Sequence, residues 1–232
     1  MTSTALVTGA SRGLGRALAT ALSARRWRLV VDGRDAARLA AAVARLPHPD
    51  LVTAVPGDVA DPAHRAALAT AAGDRLDLLV NNASDLGPSP LPSLADLRIE
   101  DLQAILAVNT LAPLALVQLT LPALRRAGGT VLDVSSDAAV EAYPGWGGYG
   151  ASKAALDRLT AVLAEEHPEL HVYAVDPGDM HTAMHQAAFP GEDISDRPAP
   201  ETVVPALLGL LDEPQPSGRY RAADLRPVGA AR

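Results

Sequence analysis

The sequence predicts an α/β fold, one doubly wound parallel sheet spanning residues 1–232, on three observations. Short apolar runs alternate with longer amphipathic stretches along the chain. The strand-like runs are rich in Val, Leu and Ala without polar residues between them, as expected of strands covered on both faces. The chain is 48% hydrophobic with only 4 Tyr, 2 Trp and 1 Phe, so its core is built of small aliphatic side chains, which suits helices laid on a buried sheet.

The elements follow in order. "ALVTG" is a first strand, and the amphipathic stretch Gly13 to Ala24 a first helix. "RLVVDG" and a helix from Asp35 to Arg45 repeat the unit, as do "LVTAVPGD" with Pro62 to Ala72. "LDLLVNN" leads to a long helix from about Asn109 to Arg126, "GTVLDVSS" to a helix after Gly148, and "LHVYAVDPG" to a helix near Thr202 to Leu211. A short strand near "GRYRAA" precedes a tail at 226–232. Right-handed helical crossovers join such parallel strands. Two stretches, Leu86 to Pro92 and Ala187 to Pro200, carry no periodicity and read as long loops.

Composition excludes several roles. A net charge of −7 gives no electrostatic reason to approach nucleic acid or an anionic membrane. Without cysteine there is neither disulfide nor thiolate chemistry, and the N-terminus has no secretory signal, so a cytoplasmic location is expected. The uncharged run from Gln103 to Leu124 is long enough for a bilayer, yet with Asn109, Pro113, Gln118 and Pro122 it reads as a buried helix.

"TGASRGLG", Thr8 to Gly15, lies between the first strand and first helix. Glycines there let backbone N–H groups approach a phosphate, and the helix N-terminus adds partial positive charge, so a dinucleotide pyrophosphate fits. At the end of the second strand, Asp32 argues for a free ribose 2′-hydroxyl and Arg34 for a 2′-phosphate; residue type alone leaves both open.

Of 20 basic residues only one, Lys153, is lysine, and it stands four places after Tyr149 in "YGASK". Four residues apart on a helix means one face. An ammonium beside a phenol favours phenolate, so Tyr149 is expected to be unusually acidic and able to move a proton near neutral pH. Arginine's planar fork does not replace a compact ammonium, which explains why this one position escapes the chain's preference for Arg. Ser135 or Ser136 ends a strand at the carboxyl edge of the sheet, where a hydroxyl can hold a carbonyl oxygen.

Together and in this order, over roughly residues 4 to 185, "TGASRGLG", "GDV", "NNAS", "YGASK" and "DPGDMHT" resemble the short-chain dehydrogenase/reductase family, whose fold is the Rossmann type. The resemblance implies Tyr149 as general acid/base, Ser136, thirteen residues earlier, as the carbonyl-orienting hydroxyl, and Lys153 as the group that holds the nicotinamide ribose and depresses the tyrosine. Asn109 would anchor a proton-relaying water. Cofactor contacts are implied at Gly9, Ser11, Arg12, Gly13, Leu14 and Gly15, at Arg34, Asp58, Val59, Asn82 and Ala83, at Tyr149 and Lys153, and at Pro177, Gly178 and Thr182. Arg34 and Arg12 occupy the basic positions of NADP-preferring members, and Gly33 stands where the NAD-selecting acid falls, so NADPH is favoured over NAD. Ser84 departs from the family's glycine and is expected to crowd the nicotinamide end slightly.

The reading is hydride transfer between NADP(H) and a ketone, aldehyde or secondary alcohol; the alternative is a dinucleotide-sensing protein without turnover. The segment at about 180–200 would cover the substrate, with Met180, His181, Met184, His185, Phe189, Tyr143 and Trp146 as packing or substrate wall. His181 and His185 lack the glutamate of a zinc helix, so no metal is expected. A homodimer or homotetramer through the helices of Asn109 and Lys153 is implied by the resemblance.

Overall fold

In the computed structural model, which describes residues 2–225, strand β1 (Thr4–Val7) shows why polar alternation is missing from the sequence. Ala5 and Val7 face one core and Leu6 the other, all at 0% exposure, so both pleat faces bury apolar side chains. The expected tail at 226–232 lies outside the described residues.

Six further strands pair in parallel with it: β2 (Arg28–Gly33), β3 (Val52–Pro56), β4 (Leu78–Asn81), β5 (Thr130–Val134), β6 (His171–Asp176) and β7 (Gly218–Arg221). The order is β3-β2-β1-β4-β5-β6-β7, so the winding reverses beside β1, whose Val7 pairs with both Val31 and Val80. Ligand crevices of such sheets open at the strands' carboxyl ends at this reversal.

Helices α1 (Gly13–Ala24) and α2 (Ala36–Val43) cover one face, joined there by a helix near the C-terminus (Val204–Asp212). Leu14, Leu18 and Leu22, spaced by four, form the stripe with which α1 meets the sheet; each such leucine contributes roughly 1.5–3 kcal/mol on burial. Helix α3 (Pro62–Ala72), started by Asp61 accepting from Ala63 N at 2.9 Å, covers the other face.

The long helix expected from Asn109 begins earlier. Helix α4 (Ile99–Leu106) runs through a wide π-type turn (Ala107–Leu111) into α5 (Ala112–Ala127). The turn precedes Pro113, which has no N–H for the Asn109 carbonyl four residues earlier, so regular α-helical bonding fails there. Helix α6 (Gly147–Glu166) buries Tyr149, Lys153, Leu156 and Thr160, a single stripe at helical spacing. The Ala187 to Pro200 stretch is not wholly irregular, since helix α7 (Ala183–Ala188), capped by Thr182, enters it; α8 is the Val204–Asp212 helix.

Candidate active site

The Gly9 turn is held from below. Gly9 N donates to Asp32 Oδ1 at 2.5 Å, and Ala10 N to the Asp32 carbonyl at 2.9 Å. The other carboxylate oxygen, Oδ2, lies 3.1 Å from His64 Nε2 on α3, and both side chains are buried. Asp32 therefore has both oxygens engaged by the protein. Gly9 has φ +68°, and a Cβ there would stand 2.9 Å from Ala83 Cα, which only glycine avoids. A Cβ on Gly15 would overlap the Gly9 carbonyl and Asn82 Nδ2. Asn82 Nδ2 donates to the Thr8 carbonyl at 2.8 Å, fixing the end of β4 to the end of β1.

A cleft of about 530 Å³ runs from this turn to Tyr149. All but one of the expected cofactor positions line it, as do Ser136, Tyr149 and Lys153. They are Gly9, Ser11, Arg12, Gly13 and Leu14 of the turn, Arg34 after β2, Asp58 and Val59 after β3, Asn82 and Ala83 after β4, and Pro177, Gly178 and Thr182 after β6. Gly15 and Asn109 do not line it: Gly15 packs behind the turn, and Asn109 is fully buried. Arg12 and Arg34 are exposed, and among the described residues neither pairs with a carboxylate.

At the far end Tyr149 and Lys153 share the cleft, with Lys153 Nζ 5.6 Å from the tyrosine ring centroid. Lys153 is 1% exposed and donates to the Val134 carbonyl at 2.7 Å. Its burial brings its pKa down to about 8, although the Asp133 and Asp157 carboxylates pull it up. Burial likewise pushes the Tyr149 phenol up to about 12, with Ser84 and Ser136 hydroxyls acting in the opposite direction. In the chain alone, burial is thus the largest influence on the phenol, and the groups that lower it are the Ser84 and Ser136 hydroxyls. Asp133, beneath the lysine, is raised by burial while accepting from Asn81 Nδ2 and Thr160 Oγ1, each at 2.7 Å.

Of the two serines, Ser136 is partly exposed and hydrogen-bonds near the phenol, whereas Ser135 is buried at 2% with no partner for its hydroxyl among the described residues. Ser136 Oγ donates to Asp137 Oδ1 at 2.9 Å, and that carboxylate also accepts from Tyr143 O–H at 3.1 Å and Ala138 N at 2.8 Å. The Asn109 side chain is saturated. Its Nδ2 donates to the Asp85 carbonyl (2.8 Å) and Ser152 Oγ (2.9 Å), and its Oδ1 accepts from Asp85 N (2.7 Å) and Ser84 Oγ (3.2 Å). Ser84 is thus tied to Asn109 by its hydroxyl. His64 and Ser84's bonding were invisible in the sequence, because no motif links them to the elements they meet.

Over the cleft, Met180, His181, Met184, His185 and Trp146 line the wall, while Phe189 packs behind against Trp146 at 6.0 Å and His185 at 4.9 Å between centroids. Tyr143 stands outside, on Asp137. His185 is occupied by Asp179 (3.7 Å) and Arg197 (3.4 Å). The Leu86 to Pro92 loop joins this cover through Ser89 Oγ, 2.7 Å from the Ala187 carbonyl.

The model of the short chain dehydrogenases matches residues 3–193. The chain belongs to the short chain dehydrogenase family. It is similar to the rhamnolipids biosynthesis 3-oxoacyl-[acyl-carrier-protein] reductase of Pseudomonas aeruginosa, 33% identical over 78% of this chain and 73% of that protein. Among solved structures, a chain from Pseudomonas syringae assigned to the same dehydrogenases is 30% identical, covering 95% of this short chain dehydrogenase and 94% of that chain with a TM-score of 0.88. Another from Shigella flexneri, solved in complex with NADP, is 28% identical with a TM-score of 0.86 over 95% of this chain and 97% of that one. The family is one of oxidoreductases with a Rossmann-type sheet acting on small molecules, and the seven parallel strands agree with it.

Proposed function

We propose that this short chain dehydrogenase is a single-domain, cytoplasmic carbonyl reductase that uses NADPH in preference to NADH. The observation that carries the cofactor preference is the pair of exposed guanidinium groups at the cleft, Arg12 and Arg34, neither of which pairs with a carboxylate among the described residues, while Asp32 is turned inward. Two cations without a carboxylate suit a 2′-phosphate. The Shigella flexneri structure with NADP supports the same reading. The glycine turn, with its N–H groups at the start of α1 and no side chain above Gly9, suits a pyrophosphate. Asp58 and Val59 would flank the adenine, and Asn82, Ala83, Pro177, Gly178 and Thr182 the nicotinamide half.

Bound there, NADPH supplies the hydride for a ketone or aldehyde. Tyr149, protonated up to about 12, is suited to give its proton to the developing alkoxide. Ser136 orients the carbonyl oxygen; turning its hydroxyl from Asp137 costs one bond, and Asp137 keeps those of Tyr143 and Ala138. Lys153, charged below about 8, holds the ribose and stabilises the phenolate left behind. Because the Asn109 side chain is saturated, only its carbonyl is left to anchor a relay water. Ile99 (65% exposed) and Leu111 (57%) on α4–α5, with Val162 on α6, support assembly through those helices as a homodimer or homotetramer. The α4–α5 unit, Ile99–Ala127, is apolar enough to cross a membrane by length, but half of its most apolar stretch is buried in the protein.

The test is NADPH oxidation followed by absorbance with a panel of ketones and aldehydes, alongside NADPH binding by fluorescence. Consumption with several members is expected. Binding without consumption across the panel would instead make the chain a dinucleotide sensor.

A further inference from the structure

Ser136 lies past the last rung that β5 shares with β6, Val134 with Val175, so the sheet offers its carbonyl no ladder partner. Arg219, on the edge strand β7, fills that position. Its Nη2 donates to the Ser136 carbonyl at 2.9 Å, and its Nε to Asp157 Oδ2 at 2.8 Å. Nη2 also lies 3.9 Å from Asp176 Oδ2. Asp157 is one helical turn after Lys153 on α6, and Asp176 ends β6 just before Pro177 and Gly178, whose N–H it accepts at 2.9 Å. The guanidinium is 28% exposed and its two carboxylates 14% and 6%, so the bonds are largely shielded from water.

We propose that Arg219 is a positioning residue for the reductase reaction: one guanidinium sets the catalytic serine's backbone against the helix of Tyr149 and Lys153 and against the strand that leads into the Pro177–Gly178 turn. The inference rests on the reductase reading given above. Three segments far apart in sequence meet at one planar group, and its fork geometry is what lets it serve a carbonyl and a carboxylate together. A displacement of the serine by about 1 Å is enough to cost about 100-fold in turnover. Arg219 touches no reacting atom; it acts through the Ser136 main chain and the Asp157 side chain.

Arg219→Ala in the full chain tests it, with Asp157→Asn as the companion, because Arg219 sits on an edge strand and the Asn keeps the shape of its partner. With NADPH and 4-nitrobenzaldehyde, kcat is expected to fall at least about tenfold in both variants and NADPH affinity by clearly less, since the Pro177–Gly178 turn is only one of several cofactor contacts and the Gly9 turn is not tied to Arg219. Guanidinium chloride at a few millimolar is expected to restore part of the Arg219→Ala loss and none of a Ser136→Ala loss. The double variant is expected to be no worse than Arg219→Ala alone. Hydrogen exchange reads the same tie without turnover: amides of residues 136–140 are expected to exchange at least about tenfold faster in Arg219→Ala, and those of 9–15 at the parent rate. Unchanged exchange at 136–140, parent-like kcat, or equal losses of kcat and NADPH affinity would each overturn the proposal. A parent enzyme that oxidises no NADPH with any carbonyl compound would sink the reductase reading instead, leaving the exchange result to judge Arg219.

Discussion

Replacing Arg34 by Ala and Arg12 by Ser together is expected to erase most of the preference for NADPH. Both guanidinium groups are exposed and, among the described residues, free of carboxylates, so each phosphate contact they make is an exposed ion pair. Such a contact contributes about 1 kcal/mol at the upper end of its range after solvent screening. Two of them give about 2 kcal/mol, or roughly 30-fold in Kd. NADPH is therefore expected to bind about 30-fold more weakly to the double variant, and NADH within about threefold of the parent. Raising the ionic strength narrows the gap in the parent, because charges beyond about 8 Å are screened at physiological salt. Titration of nicotinamide fluorescence with both nucleotides, at low and moderate salt, measures this directly. The same ratio of the two Kd values in parent and variant would refute the reasoning. Asp32→Asn is the control: it loosens Gly9 beneath the pyrophosphate, and so is expected to weaken both nucleotides alike.

Tyr149→Phe is expected to keep NADPH affinity and lose about 100-fold or more in kcat, as the loss of a general acid does; single-turnover kinetics with saturating NADPH check it. Reduction needs the protonated phenol and the charged lysine. The phenol stays protonated to about 12 and the ammonium is lost above about 8, so kcat/KM for reduction is expected to be flat below that pH and to fall about tenfold per unit above it. Folding stability moves the other way between about 8 and 10, where the unfolded lysine holds a proton the folded one has released; denaturant titrations at three pH values show the sign. Ser84→Ala and Ser84→Gly are expected to lower kcat by about two- to tenfold, the worth of one neutral hydrogen bond beside the phenol, with the Asn109 amide still held by Asp85 and Ser152; steady-state rates at parent level in both would remove Ser84 from the site.

The fold and the gathering of Ser136, Tyr149 and Lys153 at one cleft were legible because they rest on local pattern. Short apolar runs with no polar alternation, bounded by turn residues, fit strands buried on both faces, as Ala5, Leu6 and Val7 are. Tyr149 and Lys153 share a face because helical spacing alone decides it, and the glycine turn is a contiguous motif. The engagement of Asp32 was not legible, since His64 and Gly9 reach its carboxylate from other elements. Nor was the upward push on the Tyr149 phenol: the sequence supplies its lysine neighbour, but only the packed chain supplies the burial that raises it. Likewise Ser84 meets Asn109, and Arg219 meets Ser136, across 25 and 83 positions of sequence. Short-range periodicity and turn chemistry are encoded in neighbouring residues and survive in any one window of the chain, whereas desolvation and long-range hydrogen bonds exist only once the sheet has brought distant strand ends to a common edge.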